Sequence, residues 1–311
     1  NLATAIIMVT LLRKLMPKGE IRMMLTGIVV IAANAGGAFS PIGDITTTLL
    51  WIGGQVSAYG IVKVLFLPSL MCILVPLIIA SYRMKGFTML RVQLSMAEVI
   101  KEEKMRGSLS VFLAGVFGLV MVPVIKSITG LPPFIGVLMA LAFVSLVSII
   151  YHRNKPQEVK EKYSVAYALS KVDVSSILYF MGILLLVYVL QEVQILSQLS
   201  VFLQQTLPNN DVMVIAIGVL SSIVDNGSLV AATQGMFSLA EYPMDSPLWE
   251  FIALCAGTGG SMLIIGSAAG VAIMEKEKMT FMWFLKKITP LAMAGYVAGL
   301  VTYLILNLLM H

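Results

Sequence analysis

The stretch Ala35-Gly36-Gly37-Ala38-Phe39-Ser40-Pro41-Ile42-Gly43-Asp44 lies in the middle of an apolar run from Met23 to Gly54. That run is too long for one simple transmembrane helix, which takes about 20 residues. Its glycines and proline free backbone groups, and Ser40 and Asp44 put polar atoms at membrane depth. We read two half-helices separated by a break. Such a break survives in a bilayer only where protein or a watery cavity surrounds it.

Composition points the same way. Of 311 residues, 59% are hydrophobic and 12% charged, against roughly 25% charged in soluble domains. The mean hydropathy is +0.94. A soluble globule, a disordered chain and a disulfide scaffold are all excluded. The net charge of +5 is no nucleic-acid footprint, because the basic residues sit in short clusters between apolar runs. Cys72 and Cys255 read as small buried hydrophobes. His152 and His311 stand alone at segment ends, so no transition-metal site and no cofactor are expected. The 21 methionines read as packing residues.

The expected fold is an all-α polytopic membrane protein with inverted repeats, re-entrant hairpins and discontinuous transmembrane helices. Length alone allows about eight to ten membrane segments; the pattern reduces this to about six crossings. Residues 1–82 hold an apolar stretch to Leu12 that starts as if inside an element, the first broken helix, and a span over Val62–Tyr82. Residues 83–106 form a basic connector, with an amphipathic interfacial helix expected over Met89–Met105. Residues 107–311 hold spans over Ser108–Ile125, Leu131–Tyr151 and Val174–Leu190, with a basic connector at 152–171. A hairpin over 212–240 then turns at Asp225-Asn226-Gly227-Ser228. A second broken helix over 248–274 breaks at Gly257-Thr258-Gly259-Gly260-Ser261, and Phe284–Met310 is the last span.

The two breaks align without gaps. Gly36, Gly37 and Gly43 fall over Gly259, Gly260 and Gly266, and an asparagine precedes each, Asn1 and Asn226. With the 13–22 loop in the cytoplasm, every basic cluster lands on that side, as the positive-inside rule requires. The 212–240 segment must then begin and end outside, so the repeats are inverted. Inverted repeats with hairpins and broken helices meeting at the midplane are the architecture of secondary transporters.

Asp44 and Asp225 are the acids deepest in apolar sequence. A buried carboxylate needs a partner, a cation or a proton, and no lysine or arginine lies in either motif. Capping of a helix N-terminus is the plainer alternative for each. A site alternating between cation and proton accounts for both acids, because the two ligands compete for one carboxyl. Asn1, Thr4, Asn34, Ser40, Thr46, Thr47, Asn226, Ser228, Thr258, Ser261 and Ser267 are candidate neutral oxygen ligands. Oxygen-only coordination suits sodium or lithium. For any single hydroxyl, back-bonding to its own helix is the competing reading.

The run Val30–Gly54, the opening Asn1-Leu2-Ala3-Thr4-Ala5-Ile6, and Cys255–Gly270 closely resemble the NhaD-type sodium/proton antiporters. That family lies in the ion transporter superfamily with arsenite permeases and sodium-coupled dicarboxylate carriers. The resemblance implies exchange of cytoplasmic sodium or lithium for external protons, a homodimer, and elevator-like movement of a transport region. It places the chain in a bilayer, in a bacterial inner membrane or else an organelle envelope, and implies no enzyme activity. Relatives carry an aspartate before the hairpin asparagine and a longer N-terminal half; this chain begins at Asn1. Ala3 replaces their threonine, and Gly227-Ser228 replaces a common Val-Pro. Two other functions compete: a sodium-coupled anion carrier, disfavoured by the lack of arginine near the breaks, and an intramembrane aspartyl protease. The protease motif G-x-G-D is spoiled by Pro41.

Overall fold

The computed structural model describes residues 1–84, 108–154, 156–162, 164–170, 172, 174–207 and 209–310. The interfacial helix expected over 89–105 lies outside them. Among the described residues the structure is helical, with no strand. Among the described residues five helices are long and apolar enough to cross a membrane, or six if one bent pair counts as a single span.

The chain divides into two compact units, residues 1–92 with 182–311, and residues 93–181. This division cuts across the repeats. In the smaller unit, α5 (Ser108–Thr129) and α6 (Pro133–His152) pack together. Small residues let the backbones approach, as is usual for helices in lipid. A Cβ on Gly118 would lie 3.0 Å from Ala140, and one on Gly136 would lie 3.2 Å from Val122. Gly130 turns the chain between the helices at φ +68°, a region that favours glycine. The connector 152–171 carries two short helices, α7 (Gln157–Lys162) and α8 (Val165–Leu169).

The larger unit contains both breaks. Its first part is α1 (Leu2–Leu15), α2 (Glu20–Ala38), α3 (Ile45–Ile52) and α4 (Ala58–Arg83). After α9 (Val174–Glu192), which begins in the smaller unit, come α10 (Ile195–Thr206), α11 (Asn210–Leu220) and α12 (Asn226–Met236). The unit closes with α13 (Pro247–Gly259), α14 (Ala268–Glu277), α15 (Phe281–Lys287) and α16 (Thr289–Met310).

Two expectations are corrected, and one helix is new. The hairpin turns at Ser221–Val224, not at 225–228; Asp225 caps α12, and Asn226-Gly227-Ser228 form its first turn. The last apolar segment is two helices, since α15 precedes the final span and Ile288 separates them. Helix α10 was not expected; it is bent 74° from the end of α9 around Gln194, which adopts φ 61°.

The packing repeats as the sequence does. Helix α1 packs on α14, and α12 packs on α3, so each hairpin arm sits against the second half-helix of the other repeat. The first half-helices, α2 and α13, pack on each other; a Cβ on Gly257 would lie 3.1 Å from that of Ala38. Outside them, α16 packs on α4 through Gly295 and Gly299. A Cβ on Gly295 would strike the Cys72 carbonyl and Pro76, and one on Gly299 would strike the Cys72 sulfur. Tyr303 stacks on Phe251 at 4.8 Å and donates to the Pro247 carbonyl at 2.9 Å, tying α16 to the start of α13.

Candidate functional site

Four helix N-termini converge where the breaks meet. Asn1, Asp44, Asp225 and Ser267 are the N-cap residues of α1, α3, α12 and α14. Polar residues are preferred there because the first N–H groups of a helix lack partners. Asp44 Oδ1 accepts from the Ile45 N–H at 2.8 Å. Ser267 Oγ accepts from the Gly270 N–H at 3.2 Å. These two residues occupy equivalent positions, so one break ends on a carboxylate and the other on a hydroxyl.

Each break is held by the same backbone contact. A Cβ on Gly37 would lie 3.2 Å from the Gly43 carbonyl oxygen, and one on the aligned Gly260 would lie 2.8 Å from the Gly266 carbonyl oxygen. The aligned pairs Gly37/Gly43 and Gly260/Gly266 therefore each press backbone against backbone. A Cβ on Gly266 would also lie 2.6 Å from the Ser222 carbonyl, and one on Gly259 would strike that of Gly218, so the second break is pressed against its own hairpin. A Cβ on Gly36 would meet nothing within 4 Å.

The hairpin tips reach across to the breaks. Asn226 donates to Asp44 Oδ2 at 2.9 Å, and Thr46 donates to the same oxygen at 3.2 Å. On the equivalent side, Asn1 donates to Asn34 Oδ1 at 2.8 Å and Asn34 donates to Ser267 Oγ at 3.1 Å. Asn34 thus fills the distance that the shorter serine leaves. Asp44 is 7% exposed, Asn226 2%, Asn34 0% and Ser267 1%. No lysine or arginine among the described residues pairs with Asp44.

The other sequence candidates sort differently. Asp225 is half-buried, and its Oδ2 accepts from the Ser228 N–H at 3.2 Å and hydroxyl at 3.1 Å, within its own tip. Thr47 donates to the Gly37 and Ala38 carbonyls freed at the end of α2, at 3.3 and 3.2 Å. Thr258 donates to the Leu254 carbonyl and Ser261 to that of Thr258, both at 2.6 Å, which is back-bonding to the helix. Ser40 is half-exposed in the first break, and Thr4 is exposed on α1. A cation here would rest on one carboxylate plus neutral oxygens. Among the described residues no three His, Cys, Asp or Glu side chains cluster as a metal site.

Sequence reading missed Ser221, which donates to the Ala256 carbonyl at 2.7 Å and joins the hairpin to α13. It also missed Gln234, which donates to the Leu49 carbonyl at 3.0 Å and to Gln55 Oε1 at 2.8 Å. Neither lies in a break, so no local signal marked them.

Two broken helices crossed by two hairpin arms, with a buried acid at the crossing, define the secondary-transporter class. The chain belongs to the citrate transporter family CitMHS, whose model matches residues 1–249. It is 47% identical over 306 residues to "Sodium/proton antiporter 1" of Arabidopsis thaliana, covering 98% of this chain and 52% of that protein. It is 43% identical to "Sodium/proton antiporter 2" of the same plant, covering 98% and 72%. It is 33% identical to the "Na(+)/H(+) antiporter NhaD" of Vibrio cholerae, covering 99% and 67%. The resemblance to NhaD-type antiporters is thus borne out, and the family is one of carriers. The chain spans about half the length of the first of these relatives. No solved structure matches it significantly.

Proposed function

We propose that this chain is the ion-handling part of a secondary active transporter that exchanges cytoplasmic sodium or lithium for external protons. Its similarity to proteins named sodium/proton antiporters supports the reading. The observation that carries it is Asp44: a buried carboxylate at the crossing of break and hairpin, held only by neutral donors. Left without a counter-ion, such a group is costly in a membrane; a sodium ion or a proton removes the cost, and each excludes the other. Asn226 and Thr46 bond to Asp44, the Gly37 and Ala38 carbonyls bound by Thr47 are further candidate oxygens, and Asn1, Asn34 and Ser267 form the neutral counterpart in the other repeat. Asp225 supports its tip from a half-buried position and is the second candidate coupling acid.

The side assignment follows from charge and from pairing. Lys287 meets Glu20 at 2.9 Å and Arg22 meets Glu277 at 3.0 Å, so the 13–22 and 276–287 segments share one end. The Ser57 N–H donates to Asp245 at 2.6 Å, and the Asp245 N–H donates to the Gln55 carbonyl at 2.8 Å, so the 53–57 and 241–246 loops share another. We assign the basic end to the cytoplasm. A homodimer in a bacterial inner membrane or organelle envelope fits the family resemblance.

The test uses the complete natural protein in everted vesicles carrying an acid interior. Sodium or lithium should dissipate the pH gradient, and Asp44→Asn should abolish the effect. Full sodium-dependent dissipation by Asp44→Asn overturns the assignment. Citrate uptake driven by sodium, without proton movement, would select the anion-carrier reading that the family description raises.

A further inference from the structure

Helices α1 and α14 start together at the site, and their far ends meet at a charged cluster completed by Arg22 of α2. Their N-caps, Asn1 and Ser267, are joined through Asn34. Near their C-termini, Glu277 of α14 meets Arg22 twice, Nη2 at 3.0 Å and Nε at 3.1 Å. Arg13 of α1 stands 3.6 Å from the other carboxylate oxygen. The Glu277 side chain is 0% exposed and that of Arg22 9%, whereas Arg13 is 47% exposed. A carboxylate in the last turn of a helix opposes the helix dipole, so Glu277 depends on these arginines. Lys276 adds a bond to Thr10 at 2.8 Å. Arg22 also donates to the Met16 carbonyl at 3.1 Å, which fixes the α1–α2 loop to the same cluster.

The pseudo-equivalent pair closes differently. Helices α3 and α12 also start together at the site, through Asp44 and Asn226. Their far ends are joined by amides, Gln234 to Gln55 and to the Leu49 carbonyl. A Cβ on Gly53 would lie 2.5 Å from the Gln234 amide, so this closure is tight but uncharged.

We propose that these are two unequal latches: Arg22 of α2 and Arg13 of α1 hold Glu277 and so keep α14 closed against both helices on the basic side of the membrane, and Gln234–Gln55 closes the path between α3 and α12 on the opposite side. Glu277 and Arg22 are positioning residues; neither touches the site. Drawing α14 away from α1 and α2 parts the buried Arg22–Glu277 pair, whereas opening the α3–α12 seam parts neutral hydrogen bonds. Removing one partner of a buried pair leaves the other charge uncompensated, so loss of Glu277 biases α14 toward opening the site to the basic side. The inference rests on the transport reading only in taking the breaks as a site that opens to both faces; it does not depend on the ion carried.

The test places a cysteine at Val9, a buried α1 position at 0% exposure, in the complete natural protein. Native Cys72 and Cys255 are buried, so the parent supplies the background. A membrane-impermeant thiosulfonate is added from the face bearing the basic loops. Glu277→Gln should raise the labelling rate roughly tenfold by shifting population to the open seam. The exchanged pair Arg22→Glu with Glu277→Arg should return it toward the parent rate. Gln234→Leu should leave it unchanged from that face. Equal labelling of parent and Glu277→Gln overturns the latch, as does an equal rise with Gln234→Leu, which would mean general loosening. If Glu277→Gln does not accumulate, Arg13→Gln serves, with a smaller rise expected and no rise overturning the proposal. Sodium-driven proton movement in the same vesicles reports on the ion assignment separately, so either idea can fail alone.

Discussion

Replacing Gly37 by alanine should damage the protein, and replacing its neighbour Gly36 should not. The new Cβ at 37 would lie 2.7 Å from the Asp44 Cβ, 3.2 Å from the Gly43 carbonyl oxygen and 3.3 Å from its carbon. Carbon atoms pack comfortably at about 3.5–4.0 Å, so the gap is short by about 1 Å. No flexible side-chain end stands there to yield; the obstacles are a Cβ and a backbone. Relief requires the break to shift, and Asp44 shifts with it. Overpacking of this kind costs about 1–3 kcal/mol. At 36 the Cβ enters open space, and alanine within helix α2 gains about 0.5–1 kcal/mol over glycine. The assay is thermal unfolding of the detergent-solubilised complete protein, followed by a thiol-reactive dye that reports exposure of buried Cys72 and Cys255. A loss of 1–3 kcal/mol should lower the midpoint by about 2–10 °C, while Gly36→Ala stays level or rises slightly. Sodium-dependent exchange should fall for Gly37→Ala beyond what its remaining folded fraction explains. Equal midpoints for the two variants would refute the view that Gly37 holds the break together.

Further outcomes follow from the same geometry. Asn226→Ala removes a donor to a buried carboxylate, worth about 1.5–3 kcal/mol, and should weaken apparent sodium affinity at least about tenfold in vesicle assays. Asn34→Ala cuts the side-chain relay between the Asn1 amide and Ser267; exchange should drop although Asp44 keeps its partners. Thr258→Val removes a hydroxyl that bonds its own helix, so its effect should be within about 1 kcal/mol, whereas Thr46→Val should alter ion affinity. Gly299→Leu would drive a side chain into Cys72 and should separate α16 from α4, seen as failure to accumulate in the membrane.

The breaks were legible because glycine and proline leave a local mark. The ungapped match of Gly37 and Gly43 to Gly260 and Gly266 predicts a shared shape, and the structure gives both pairs the same backbone contact. The hairpin turn was misplaced for a physical reason. Ser221–Val224 contains no glycine or proline, while Asp225-Asn226-Gly227-Ser228 looks like a turn and is instead a cap followed by the first helical turn. Helix α10 was missed because its glutamines and serines interrupt the apolar run that marks a span. What could not be read was contact across the fold. Asn226 meets Asp44, and Glu277 meets Arg22, from opposite repeats; residue types are visible in a sequence, but pairing over such separations depends on packing.

The unlike ends of the two breaks have an energetic consequence. Their backbones match, yet only the Asp44 break can neutralise a monovalent cation; the Ser267 break carries no charge to offset one. In the proposed exchange, the Asp44 break therefore has the same net charge whether loaded with sodium or with a proton. Its empty, ionised form alone carries an uncompensated charge, which is costly to move through a low-dielectric medium. Two loaded states of equal charge and one disfavoured empty state make return without cargo the slow step. A single carboxylate at one of two matching breaks is thus enough to tie the movement of one ion to the countermovement of the other.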